Sequence, residues 1–278
     1  MLARILGTKM SETFSQPVVV ENRPGASGNI GTDYLAKSPP DGYTLGIAPN
    51  QTVSVNPVLY PKLPFNVVKD LQGVSMLGSV PMVLVVSSKV TAKSVAELIA
   101  QAKAAPDKLT YASAGPGSPQ HMAAEVFKSM TGTKLMQVPY KGSSPALVDV
   151  LGGTVDLMFC PLNSALPHIR SGKLRALGTT GTERLLLLEG VPTIAETVPN
   201  YESDIWIGMV APARTPAPVI AKLNAELRRV LALPDVKSKL AEQGIVAKAS
   251  SAADLNKLIV TDQKRWAGVI NTAGIKAE

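Results

Sequence analysis

The chain of 278 residues has one cysteine, Cys160, which excludes an internal disulfide and any metal site built from several thiolates. A lone cysteine does not identify the redox compartment, so periplasm and cytoplasm both stay open. Aromatic residues are only 4% of the chain, too few for platforms on which bases stack, and the Lys and Arg behind the net charge of +7 are scattered. Nucleic-acid recognition is therefore open but unsupported by the composition. No apolar run approaches the roughly 18 residues of a membrane span. The longest candidate, residues 80–86, fits a buried strand. No charged n-region, apolar h-region and small-residue cleavage site follow in order near Met1, so no signal peptide is visible. H-E-x-x-H, G-x-S-x-G and an aspartate-rich cation loop are all missing, which leaves zinc hydrolysis, acyl transfer at a nucleophile elbow and EF-hand calcium binding unsupported. Cys160 and His168 are close in sequence, but no third residue orients the histidine as an activating base. No cofactor or metal site is expected, and binding without chemistry fits best.

What is present is the composition of a globular protein, 45% hydrophobic and 18% charged, long enough for one large domain or two of ordinary size. The pI near 9.4 points to an anionic partner or a basic outer surface. From Val18 on, short aliphatic or β-branched runs alternate with helical patterns, predicting an α/β architecture with mostly parallel strands. Strands are predicted at 17–21, 44–48, 73–86, 109–113, 135–138, 155–159, 174–179 and 205–211. Ser94-Val95-Ala96-Glu97 reads as a capping box, Thr215-Pro216 opens a helix, and Ser251 to Asp254 opens the last one.

The stretch ENRPGASGNIG, residues 21–31, follows Val18-Val19-Val20 and precedes a helical segment. It has the parts of a phosphate-cradling loop, but Ala26 stands where G-x-G-x-x-G needs its first glycine. No G-K-S/T follows, and no carboxylate lies in residues 48–52. The better reading is a tight turn with close helix packing.

Two junctions repeat one syntax. Residues 111–119, YASAGPGSP, pass from strand to helix with Ser118 as N-cap and Pro119 at the first helical position, and Gly132 closes the helix. Residues 138–145, VPYKGSSP, do the same with Ser144 as the expected cap. In a parallel sheet both helix starts emerge at carboxyl ends of adjacent strands, where open α/β folds bind ligands. Their unpaired N–H groups and partial positive charge suit a carboxylate or phosphate. His121, third in its helix, is either a donor to that anion or a packed histidine.

With those residues in view, the chain resembles the Bug, or tripartite tricarboxylate transporter, family of periplasmic solute-binding receptors. The resemblance rests on VVVENRPGASGNIGTDYLAKSPPDGYTL, YASAGPGSPQHMAAEVF, VPYKGSSPALVDVLGGTVDLMF, LPHIRSGKLRALGTT, VPTIAE and GMVAPARTPAPVI, in the family's order and almost from end to end. It implies a two-lobed type II periplasmic-binding-protein fold with hinge strands closing over a small ligand. Lobe one is expected at residues 1–78 plus 204–278 and lobe two at 79–203. It further implies a non-catalytic, periplasmic, monomeric receptor that binds a small carboxylate and delivers it to a membrane transporter, with no nucleic acid involved. Carried over by position, the ligand-binding residues are Asn50 and Thr52 from lobe one and Ser113, Gly117, Ser118 and His121 from lobe two. Tyr140, Gly142 and the Cys160 region form the far wall. The readings kept beside it are an α/β enzyme on a small anionic substrate with His121 as acid or base, and a ligand-sensing subunit of a signalling system.

Two departures bear on that expectation. Where family members often carry acidic or other polar residues, this chain has Cys160 and Pro161, which favours a purely acidic ligand over one with an amino group. The family also places a first strand and a carboxylate-binding glycine loop ahead of the helix that LARILGTKM resembles, whereas Met1 falls inside that helix. The first lobe is therefore expected to be N-terminally truncated, with the true start upstream of Met1.

Overall fold

The computed structural model describes residues 1–60 and 62–276. The chain forms two compact units, Met1–Val80 with Ile205–Gly268, and Pro81–Asp204 with the residues from Val269 on.

The first unit opens with α1 (Leu2–Phe14), α2 (Asn29–Ala36), β1 (Gly46–Pro49), α3 (Asn56–Leu59), α4 (Val67–Asp70) and β2 (Leu71–Val80). In the second lie β3 (Met82–Val86), α5 (Val95–Ala104), β4 (Thr110–Ser113), α6 (Pro119–Thr131), β5 (Met136–Pro139), α7 (Ser143–Leu151), β6 (Leu157–Pro161), α8 (Leu162–Arg170) and β7 (Arg175–Thr179). The chain then returns through β8 (Ile205–Pro212), α9 (Ala217–Ala232), α10 (Pro234–Glu242), β9 (Val246–Ala247) and α11 (Ala252–Ala273).

In the first unit α1 buries Leu2, Leu6 and Met10, four residues apart and so on one helical face. That face joins Leu223, Leu227 and Val230 of α9 and Val74 and Leu77 of β2 in one core. A second core on this unit gathers Val53, Phe65, Trp206, Leu255 and Ile259. Trp206 Nε1 donates to the buried Asp262 at 2.9 Å, which satisfies both polar groups. The sheet order is β1-β8-β2-β9, every pairing antiparallel.

The second unit has the order β5-β4-β6-β3-β7. Here β4 is parallel to β5 and β6, and β3 is antiparallel to both β6 and β7, so four strands share a direction and β3 alone opposes them. Its core holds Val83, Val85, Ala112, Val150, Met158 and Cys160. Phe127, Phe159 and Tyr201 form an aromatic cluster with centroids 5.8 to 6.4 Å apart.

The expectation of mostly parallel strands thus holds in the second unit and fails in the first. Parallel neighbours need a crossover, which α6 provides between β4 and β5, whereas β8 inserts between β1 and β2 from far along the chain. The predicted strand 73–86 is two strands, because Pro81 lacks an N–H and ends the ladder. The predicted strand 17–21 does not form: Val18 N donates to Ser11 Oγ at 2.8 Å, and Val19 is 79% exposed. β-Branched residues hold a strand only where a neighbouring ladder receives them. Ser94 caps α5 as expected, accepting from Glu97 N, but the Glu97 carboxylate takes the N–H of Lys93 instead of that of Ser94.

Candidate functional site

In the first unit the glycine-rich loop closes over the segment carrying Asn50 and Thr52. Four successive residues have positive φ: Gly25 at 121°, Ala26 at 46°, Ser27 at 54° and Gly28 at 90°. The two non-glycine members sit in the left-handed region, which side chains ordinarily avoid. Amides hold them there. Asn56 Nδ2 donates to Ser27 O at 3.0 Å and to Asn29 Oδ1 at 2.7 Å, and Gln51 Nε2 donates to Asn56 Oδ1 at 2.9 Å. A Cβ on Gly28 would stand 2.5 Å from Thr52 Cγ2, so this glycine permits a close approach as well as a turn. Thr52 Oγ1 donates to Pro49 O at 2.9 Å, and both Asn50 and Thr52 are buried.

In the second unit the ends of β4 and β5 and the starts of α6 and α7 meet. Ser113, with no exposed surface, accepts from Gln137 Nε2 at 2.8 Å and from Gly115 N at 3.3 Å. Ser118 caps α6 by accepting from His121 N. Gly117 has φ 69° and donates its N–H to His121 Nδ1 at 3.0 Å. The α7 start departs from expectation. Ser143 is its first residue and Gly142 its cap, so Ser144 is not the N-cap. A φ of 121° at Gly142 lets the helix begin two residues earlier than expected. Gln120 Nε2 donates to Ser143 Oγ at 2.6 Å, tying one helix start to the other.

His121 is already engaged at both ring nitrogens. Nδ1 accepts from Gly117, and Nε2 lies 3.6 Å from Glu125 Oε1, with the ring stacked on Tyr111. Glu125 also accepts from Tyr111 Oη at 2.8 Å and Lys128 Nζ at 2.7 Å. Burial opposes its charge, but the hydrogen bonds from His121, Lys128 and Tyr111 outweigh burial and lower its carboxyl to about 2. Burial and then the adjacent Glu125 charge raise the Tyr111 phenol.

Tyr140 Oη donates to Asp149 Oδ2 at 2.5 Å, and burial followed by that carboxylate pushes the phenol up to about 12. Cys160 has no exposed surface, and burial among aliphatic side chains pushes its thiol up to about 12, which keeps it protonated and unreactive. Glu196 forms a capping box with Thr193 and pairs with Arg184.

At the end of the second unit Thr180 Oγ1 accepts from Met82 N at 3.1 Å and donates to Asp204 Oδ1 at 2.6 Å. Burial raises Asp204 to about 6, against the Thr180 bond and with help from Glu202. Among the described residues no group of three or more His, Cys, Asp or Glu side chains is placed to hold a metal ion, and no helix is long and apolar enough to cross a membrane.

Residue-by-residue reading of the sequence passed over Asn56, Gln120, Ser143, Glu125 and Asp204. The i, i+4 spacing of His121 and Glu125 with Lys128 three further on was a visible signal for one of these groupings. The others join residues far apart in the chain.

The profile of the tripartite tricarboxylate transporter family receptors matches residues 2–275. The chain belongs to this receptor family. The tripartite tricarboxylate receptors are solute-binding proteins and not enzymes, which removes the reading of His121 as a catalytic acid or base. The chain is 39% identical to protein BugT of Bordetella pertussis over 99% of its own length and 85% of that protein. It is similar to the R. palustris protein Rpa4515 solved with adipate, at 36% identity and a TM-score of 0.83, covering 99% of this chain and 93% of that one. MatC of Rhodopseudomonas palustris, solved with bound malate, is 30% identical with a TM-score of 0.78 and coverage of 97% and 93%. These receptors share the two-lobed α/β fold.

Proposed function

We propose that this receptor binds a small carboxylate outside the cytoplasm, in the periplasm, and delivers it as a monomer to a tripartite tricarboxylate-type membrane transporter. Residues 1–78 with 204–278 and residues 79–203 are its two lobes in this reading. The observation that carries it is the pairing of the α6 and α7 starts through Gln120 and Ser143 beside Ser113. Two helix N-termini present N–H groups that their own helices cannot satisfy, and the partial positive charge there favours a carboxylate.

The candidate contacts are Asn50 and Thr52 on the first unit and Gly117, Ser118, His121, Tyr140 and Gly142 on the second, with the enclosed Ser113 supporting them from behind. Cys160 serves as apolar backing. His121 contributes by holding the loop through Gly117 more than by donating to the anion, since its Nδ1 is an acceptor here. The bound adipate and malate of the two relatives support a ligand with carboxylates, and the net charge of +7 favours its approach.

Malate, adipate, citrate, benzoate and glutamate, each added to the full chain in a thermal-shift assay and titrated calorimetrically, test the reading. At least one is expected to raise Tm and bind stoichiometrically without turnover. No shift and no heat with all five overturns the proposal.

A further inference from the structure

Buried polar atoms are nearly always hydrogen-bonded, so an orphan calls for an account. Gln120 is 3% exposed, and its Oε1 has no hydrogen-bond partner. Its Nε2 is spent on Ser143 Oγ at 2.6 Å. Leaving a buried carbonyl unmet destabilises a fold, whereas an apolar side chain of similar length fills the same space without that penalty. Stability therefore does not explain a glutamine at this position.

The bond has a directional consequence. Ser143 Oγ accepts from Nε2, so its own proton cannot point back along that line and is turned away from Gln120. Ser143 is only partly buried and is the first residue of α7. Gly142 before it supplies no capping side chain, unlike Ser118 ahead of α6, and a Cβ built on Gly142 meets nothing within 4 Å. The α7 start thus combines uncapped N–H groups, open space and one oriented hydroxyl.

We infer that Ser143 donates its hydroxyl to a ligand carboxylate at the α7 start, and that Gln120 is the positioning residue that aims it. The inference rests on the carboxylate-receptor reading and adds to it a contact residue and the group that orients that residue. Gln120 keeps an unsatisfied carbonyl in the core in exchange for a fixed donor at the rim.

The test is calorimetric titration of the same five acids into the full chain and into Ser143→Ala, Gln120→Met, the double variant and Gln120→Glu. Each single replacement by Ala or Met is expected to weaken the best-bound acid roughly tenfold or more, the scale of one hydrogen bond to a charged group. The double variant is expected to bind no worse than Ser143→Ala, and Gln120→Met to melt at or above the parent temperature. Gln120→Glu, which accepts the Ser143 proton and adds a like charge, is expected to bind more weakly than Gln120→Met. Parent-like affinity in Ser143→Ala, or an equal loss from Gln120→Met with and without Ser143, overturns the inference while leaving the receptor reading intact. A parent protein that binds none of the acids overturns both. Ser143 is partly exposed, so its alanine variant decides the matter even where a Gln120 variant does not fold.

Discussion

The two units hold their polar loops in place by different chemistry. Around Thr52 the first unit uses backbone conformation and neutral amides: four positive φ angles pinned by Asn56, Asn29 and Gln51. Around His121 the second unit uses ionisable groups: Glu125 with Tyr111 and Lys128, Tyr140 with Asp149, and Asp204 with Thr180. Amide networks ignore pH, whereas carboxylate networks respond to it. Substitutions at backbone positions should therefore register around Thr52, and changes of pH around His121.

The largest effect is expected from the core. Phe159→Ala removes a fully buried ring from the aromatic cluster and should destabilise the second unit by about 3 to 5 kcal/mol, read from denaturant unfolding. A loss below about 1 kcal/mol would mean that the cluster does not bear on stability.

Next comes pH. Because the Glu125 carboxyl is lowered to about 2, its stabilisation is in force above the ordinary carboxylate range and is lost as pH falls from about 4.5 toward 2. Asp204, raised to about 6, has the opposite sign: its contribution is in force below about 4 and is lost as pH rises through 6. Each amounts to about 3 kcal/mol at the far end of its window. Glu125→Gln should make the acid-side decline shallower. Asp204→Asn should flatten the slope between pH 4 and 6 and leave the protein more stable at pH 7. Parent-like pH profiles in both variants would remove the distinction drawn between the units.

A smaller effect, about 1 to 3 kcal/mol, is expected for Gly28→Ala, which places a side chain at φ 90° against Thr52. The same loss should appear at every pH from 4 to 8, and a pH-dependent loss would contradict the amide account of this loop. The smallest, about 1 kcal/mol, is expected for Ser94→Ala at the α5 cap, with carboxylate affinity unchanged. An altered affinity there would show coupling between α5 and the ligand loops.

Much of this was legible in the sequence wherever the signal was local. The Ser118-Pro119 start of α6, the closing Gly132, the Ser94 cap and the family motifs all rest on contacts within a few residues. Strand partnership was less legible. Val18-Val19-Val20 has the composition of a strand, yet pairing depends on what lies beside it, and the break at Pro81 divides a run that hydrophobicity alone joins. The site residues divided the same way. Ser118 and Gly117 announce themselves by helix-start grammar, while Gln120 and Ser143 meet only because β4 and β5 are parallel neighbours. The motif order identified the family before any contact was known, but only the fold revealed that both nitrogens of His121 are engaged.

The single cysteine makes the opening of one unit chemically countable. Cys160 is enclosed in the second core with its thiol held protonated, so a thiol-specific reagent can label it only when that core opens. With one thiol in the sequence, every label added reports opening around that one residue. The labelling rate is then a clock for the second unit alone, and a bound carboxylate that tightens that unit would slow it.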